Sequence, residues 1–265
     1  MKYSPELQDK FEKYADILRD WQSRINLVAP STLNDIQHRH IDDSAQLHDV
    51  IKGFGTGDWG LGTGVVQAES PFSKQKAPTP NTPQSLVTIV DLGSGAGFPA
   101  VVLAIMGWRV VAIESIAKKC RFLEELKIQL NLPNLTVVND RVEKIIPSLA
   151  ERGGCAGLRA GGRVENKSDR PGLPVPNTTQ SPVPSPQPQV PIFTARAFAP
   201  MVKIMDYTQP RPKVVNKATM YLLKGANVAE EIREAKKKYK FDCRLFPSKT
   251  GDGFIAKIEN IKYKS

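Results

Sequence analysis

Apolar side chains at Leu7, Phe11, Tyr14, Leu18, Trp21 and Ile25 recur at steps of four, three, four, three and four. This spacing draws one apolar stripe along an α-helix. Ser4 suits the N-cap and Pro5 the first helical position, so the helix is predicted to begin there. The stripe spans fewer than three heptads, which predicts a helix packed on a larger body rather than a coiled coil. A second helix is predicted from about Ser31 through Leu47, after the break at Pro30. From residue 86 onward the period changes repeatedly. Strands are predicted at Leu86–Asp91, Arg109–Glu114, Leu135–Asn139, Ile192–Ala195, Ala218–Leu223, Phe241–Pro247 and Gly253–Asn260. The helical patterns between them are Phe98–Met106, Ala117–Asn131, Val142–Leu149, Met201–Tyr207 and Val228–Tyr239. Such alternation predicts an α/β fold: a doubly wound, mostly parallel seven-stranded sheet of Rossmann-like kind, with the last two strands forming a hairpin at its edge.

Two stretches have no periodic pattern. Residues 55–85 carry Gly55, Gly57, Gly60, Gly62 and Gly64, then Pro71, Pro78, Pro80 and Pro83; residues 151–191 open with glycines and close with prolines. Neither can bury enough apolar surface to order itself, so both are expected to be flexible inserts. The chain is thus expected to comprise a helical cap (1–54), an insert (55–85) and an α/β domain (86–265) interrupted by a second insert (151–191). Each insert leads into the amino end of a strand, whereas ligand loops leave the carboxyl ends, so both should hang from the edge opposite the active site.

The 265 residues and 40% hydrophobic content permit a substantial core. The longest apolar stretch, Ala100–Ile113, is cut by Arg109 and is shorter than a membrane span needs. The first eighteen residues mix charges with apolar positions and lack the apolar core of a secretory signal, so a cytoplasmic location without membrane insertion is expected. Cys120, Cys155 and Cys243 are too dispersed for a disulfide framework or a Cys-x-x-Cys site; with only His38, His40 and His48 besides, no metal centre is expected. The net charge of +10 is concentrated late in the chain: residues 192–265 hold 16 basic and seven acidic side chains, an excess of nine. Such asymmetry suits a polyanion lying against one face, although a soluble lysine-rich surface gives the same count.

The strongest local chemistry lies at Asp91-Leu-Gly93-Ser-Gly95-Ala-Gly97-Phe98-Pro99. A buried strand ends in an aspartate, a glycine turn follows and a helix begins, so a ligand can approach the backbone closely. The dinucleotide fingerprint needs glycine where Phe98 stands, which disfavours a nicotinamide oxidoreductase. The next strand ends in Glu114, nineteen residues past Gly95, where a carboxylate can accept both ribose hydroxyls, and the third is followed by Asp140, near an adenine edge. Acids at three strand ends repel phosphates and suit an adenosine with a cationic, phosphate-free tail. S-adenosylmethionine fits that description.

With these segments the chain resembles the bacterial small-subunit ribosomal RNA guanine-N7 methyltransferases, the RsmG or GidB family. The likeness rests on Trp21-Gln-Ser-Arg-Ile-Asn-Leu27, Arg39-His40-Ile-Asp-Asp43-Ser44, Asp91–Pro99, Asn139-Asp-Arg-Val-Glu143, Thr194-Ala-Arg196-Ala197 and Leu223-Lys224-Gly225-Ala-Asn227. The Asp91–Pro99 segment alone indicates only an S-adenosylmethionine enzyme; the N-terminal pieces and the Thr-Ala-Arg-Ala run point to this family. The resemblance implies a class I methyltransferase acting on one guanine N7 in the decoding region of 16S rRNA in the small ribosomal subunit. It further implies that Gly93 and Phe98 hold the methionine and ribose side, Val142 and Glu143 the adenine side, and that Arg196 sits at the methyl-transfer site.

The residues agree with ring-nitrogen chemistry. No cysteine follows a proline, as pyrimidine C5 methylation would want, and Thr194–Phe198 is not the N-P-P-Y-like run of adenine amino methylation. Arg196 could anchor a phosphate or guanine O6, contact the cofactor, or be a plain surface arginine. His40 could reach over the cofactor and meet RNA, or pair structurally with Asp43 or a helix end. Arg39, His40, Lys224, Lys236, Lys237 and Lys238 are the expected RNA contacts, the protein acting as a monomer. Its rivals are a methyltransferase of the same fold acting on a small molecule or protein, and a non-catalytic RNA-binding protein with a vestigial pocket.

Overall fold

The computed structural model describes residues 3–53, 87–151, 191–208 and 218–264. Helix α1 (Pro5–Gln22) begins as the sequence predicts, with Ser4 Oγ accepting from the Leu7 amide, and its stripe buries Phe11, Tyr14 and Leu18 completely. The following segment differs from expectation. The single helix predicted over residues 31–47 is instead a 3₁₀ turn (Pro30–Asp35), a π-helical turn (Gln37–Asp42) and then α2 (Asp43–Ile51). The π turn buries three consecutive residues, His40, Ile41 and Asp42. Such turns concentrate at functional sites, where the wider ladder re-aims side chains and carbonyls.

The seven expected strands are present: β1 (Thr88–Leu92), β2 (Arg109–Glu114), β3 (Leu135–Asn139), β4 (Ile192–Arg196), β5 (Thr219–Lys224), β6 (Tyr239–Pro247) and β7 (Phe254–Tyr263), in the order β3-β2-β1-β4-β5-β7-β6. The first five pair in parallel, and β7 inserts antiparallel between β5 and β6. The crossovers are α3 (Ala100–Ile105), α4 (Ala117–Gln129), α5 (Val142–Glu151), α6 (Met201–Thr208) and α7 (Val228–Lys238). This is the doubly wound class I arrangement. The chain runs outward from β1 through β2 to β3 and then returns to β4 on the other side of β1. Doubly wound sheets open a ligand crevice at the strand carboxyl ends where the winding reverses.

Alternation along β1 divides the core in two. Ile89 faces a cluster formed with α1–α4, while Val90 and Leu92 face one formed with α5–α7. The N-terminal cap is therefore part of the fold's own core: Phe11, Tyr14 and Leu18 share a cluster with Val101, Leu103 and Phe122. All six residues of α3 are buried, because the sheet lies beneath it and α1 and α2 pack over it.

The expected inserts lie outside the described residues except for Glu151, which ends α5, and Pro191. Their exits are defined. Val87 and Pro191 lead into β1 and β4, which are parallel neighbours with Ile89 opposite Ile192. Both meet the sheet at the end opposite Gly93 and Ala197.

Candidate active site

The crevice at the β1/β4 reversal is a cavity of about 630 Å³, within the size range of small-ligand pockets. One wall is the turn after β1. The amides of Gly93 and Ser94 both donate to the carbonyl of Ile113, at 2.9 and 3.0 Å, pinning the turn to β2. Gly93 has φ +69°, and any Cβ there would collide with the ring of Phe198. Glu114, the buried last residue of β2, accepts from the Gly95 amide at 2.9 Å and from the Ile116 amide at 2.8 Å. A carboxylate has about four lone-pair sites, so these bonds leave capacity for two ribose hydroxyls. With Val142, Glu143 and Asp140 also lining the cavity, the donor set and shape fit S-adenosylmethionine.

The charge argument for that cofactor needs correction. Glu114, Asp140 and Glu143 do line the cavity, yet so do Lys119, Arg141 and Arg196. The lining is charge-balanced, and the fit rests on Glu114 and the glycine turn rather than on an acidic field. Asp91 and Gly97 stand behind the wall rather than in it. Asp91 is 1% exposed; its Oδ1 accepts from the Thr194 hydroxyl at 2.7 Å, its Oδ2 has no hydrogen-bond partner among the described residues, and burial pushes its pKa up to about 6. Gly97 has φ +88°, and a Cβ there would approach Val101 to 2.6 Å and the Tyr14 hydroxyl to 2.7 Å.

The cap supplies the opposite wall through Leu27, Val28 and Ala29. Gln22, just ahead of them, holds this segment by accepting from the amides of Leu27 and Val28 at 2.9 and 3.0 Å and donating to the Val28 carbonyl at 3.0 Å. Tyr14, from α1, donates to the carbonyl of Ala96 at 2.5 Å and stacks on Phe98, with centroids 5.1 Å apart. His40 stacks on Phe98 as well, at 5.0 Å. Tyr14 and the Leu27–Ala29 wall were not foreseen. The family-like run Trp21–Leu27 was a signal for the wall, but nothing local to Tyr14 distinguishes it from an ordinary stripe residue.

Arg196 ends β4 and is the hub of the site. Its Nη1 donates to His40 Nδ1 at 2.8 Å, its Nη2 to the Arg39 carbonyl at 2.8 Å, and its Nε lies 3.0 Å from Asp43 Oδ2. The guanidinium also lies 5.8 Å from the Phe98 ring centroid. Burial lowers its pKa and the Asp43 carboxylate opposes that shift. Of the expectations for His40, the pairing with Asp43 is replaced: the structure pairs His40 with Arg196 and Thr32, and Asp43 with Arg196. Burial and the neighbouring Arg196 and Arg39 push the His40 pKa down to about 4, so its ring is neutral.

The expected RNA contacts divide. Arg39, Lys236 and Lys237 are exposed, Lys238 is half-buried and bonded to Asp206, and His40 is buried. Lys224 has a side chain only 10% exposed, paired at 2.7 Å with Glu231 and donating at 2.8 Å to the Ala199 carbonyl. Among the described residues no group of three or more His, Cys, Asp or Glu is arranged to hold a metal, and no helix is long and apolar enough to cross a membrane.

A family model described as rRNA small subunit methyltransferase G matches residues 7–65 and 77–166. The chain is 31% identical over 271 residues to Ribosomal RNA small subunit methyltransferase G of Bradyrhizobium sp. (strain ORS 278), covering 99% of this chain and 88% of that protein. Its identity to the protein of the same name from Dinoroseobacter shibae is 30% over 242 residues, covering 89% and 86%. For that of Rickettsia prowazekii it is 28% over 264 residues, covering 98% of each.

Proposed function

Because the chain belongs to the rRNA small subunit methyltransferase G family, we propose that it transfers the methyl group of S-adenosylmethionine to N7 of one guanine in the decoding region of 16S rRNA. The observation that carries this reading is Arg196, fixed by His40, Arg39 and Asp43 in the lining of a cavity fitted to the cofactor. The cofactor supplies a methyl group on a sulfonium. Bound there, it would supply that methyl group to the guanine N7 lone pair, with sulfur leaving as the neutral thioether and the positive charge going to the base. No proton leaves N7, so catalysis needs alignment and water exclusion rather than a general base.

The chain's residues serve that alignment. Gly93 and Gly95 bring backbone to the methionine and ribose, with Phe98 in the wall beside them, Glu114 accepts from the ribose hydroxyls, and Val142 with Glu143 and Asp140 borders the adenine. Arg196 lies where the methyl acceptor must arrive, its charge held by Asp43 and available to a phosphate or to guanine O6. Arg39 and the exposed Lys236 and Lys237 supply phosphate contacts whose strength depends on charge rather than on base sequence. We further infer that a monomer acts in the cytoplasm on the small ribosomal subunit. The test is mass spectrometry of rRNA nucleosides after incubating small subunits with enzyme and cofactor. The expected result is new 7-methylguanosine in 16S rRNA; its absence overturns the reading.

A further inference from the structure

A second cavity, of about 530 Å³, lies on the other side of the Arg196–Phe198 segment and shares those residues with the first. The segment that divides them turns sharply, with Ala197 at φ +51°. The sequence motifs divide between the two spaces, with Arg196 and Ala197 in the lining of both. The glycine turn and the Asn139–Glu143 run border the first, together with Leu27 and His40. Arg39–Asp43 and Leu223–Gly225, which carry the likeness to this family, border the second through Arg39, Asp43, Lys224 and Gly225.

We propose that this second cavity receives the target guanosine, everted from the RNA, with Glu231 reading its Watson–Crick edge; this rests on the function proposed above. A base edge cannot reach an enclosed methyl donor from within an RNA fold, so the nucleotide must swing out into a pocket beside the donor. With N7 turned to the methyl group, the edge bearing N1–H and the 2-amino group points away from it. Only an acceptor can satisfy those donors, and an acceptor there rejects adenine, whose N1 is itself an acceptor. Glu231 is such a group. Its Oε2 accepts from Lys224 and from the Met201 amide, both at 2.7 Å, which fixes the carboxylate while neither bond uses Oε1. Lys224 spends two of its three donors on Glu231 and Ala199, leaving one for O6. Phe198 and Phe254, both half-buried on the lining, offer ring faces for stacking.

Gly225 gives a handle on the space: it lines the cavity and a Cβ there meets nothing within 4 Å. With intact small subunits, Gly225→Phe is expected to cut 7-methylguanosine formation at least 100-fold, with S-adenosylmethionine affinity by calorimetry unchanged within twofold. Glu231→Gln is expected to lower kcat/KM at least tenfold with the same unchanged cofactor affinity. Wild-type methylation by Gly225→Phe overturns the inference, as does a loss accompanied by an equal loss of cofactor binding. A second readout is independent of turnover: photocrosslinking of 6-thioguanosine 5′-monophosphate to the full chain with S-adenosylhomocysteine present. Adducts on the peptides holding Phe198 or Phe254 support the pocket; adducts elsewhere, or none, overturn it. If wild-type enzyme forms no 7-methylguanosine, the proposed function fails and the crosslink alone decides whether the cavity takes a guanine nucleotide.

Discussion

Arg196 and His40, 156 residues apart, are joined at 2.8 Å by a hydrogen bond that fixes the imidazole tautomer. Arginine can only donate, so Nδ1 is the acceptor and the proton sits on Nε2. That proton meets Thr32 Oγ1 at 2.8 Å, whose own hydroxyl donates to the Ala29 carbonyl at 2.7 Å. The chain runs from the carboxyl end of β4 to the cap wall of the first cavity. Asparagine places its side-chain oxygen near the Nδ1 position, whereas phenylalanine keeps only the stack on Phe98. We expect His40→Asn to retain about tenfold more methyl-transfer activity than His40→Phe, measured as kcat on small subunits. Equal activities would show that the hydrogen bond does not position Arg196.

Gln22 should act on the cofactor at a distance. Its side chain makes three bonds to the Leu27–Val28 backbone, each with a net value of about 1 kcal/mol. Gln22→Ala is expected to release that wall and raise the S-adenosylmethionine Kd several-fold by calorimetry, with a modest loss of thermal stability. An unchanged Kd would mean that the wall holds without it.

The turn after β1 is supported from below by Tyr14. Tyr14→Phe removes the donor to the buried Ala96 carbonyl, and an unsatisfied buried acceptor costs about 1–3 kcal/mol. The expected outcome is a lower denaturation midpoint together with weaker cofactor binding. Gly93→Ala should be harsher, since a methyl group there meets both an unfavourable φ and the Phe198 ring; cofactor binding should be lost while circular dichroism stays native.

These relationships mark where the sequence was readable. The α1 stripe, the glycine turn and the strand alternation each depend on neighbours within a few residues, and the fold follows from them. The Arg196 hub depends on residues 39, 40 and 43 meeting residue 196 through a π-helical turn that no local period announces. Charge counting failed in the same way. It read the strand-end acids as an acidic field, because a count cannot show that Lys119, Arg141 and Arg196 line the same cavity as Glu114, Asp140 and Glu143.

Two buried groups should give opposite slopes to stability against pH. His40 has a folded pKa of about 4 against an ordinary 6.5, so the unfolded chain takes the proton first and stability is lost as pH falls from about 6.5 to 4. Asp91 has a folded pKa of about 6 against 3.8, so the folded chain takes the proton first and stability is lost as pH rises across that interval. At about 1.4 kcal/mol per pH unit, each contributes on the order of 3 kcal/mol, and the two largely cancel. His40→Asn removes only the first. Urea midpoints between pH 4 and 7 should therefore show the variant gaining on the wild type by about that amount as pH falls. A pH-independent difference would contradict the neutral, buried His40.

The last expectation concerns residues 56–83 and 155–188. Val87 enters β1 and Pro191 enters β4 at adjoining amino ends, while Gly93 and Arg196 stand at the carboxyl ends. β1 spans five residues, Thr88–Leu92, and at about 3.3 Å per residue that separates the two ends by roughly 16 Å. Shortening both stretches to brief linkers should leave the cofactor cavity and the Arg196 hub unaltered, so S-adenosylmethionine affinity should match that of the full chain. A tenfold loss of affinity in the doubly shortened protein would mean that these residues reach the site, and would refute their assignment to the far edge of the sheet.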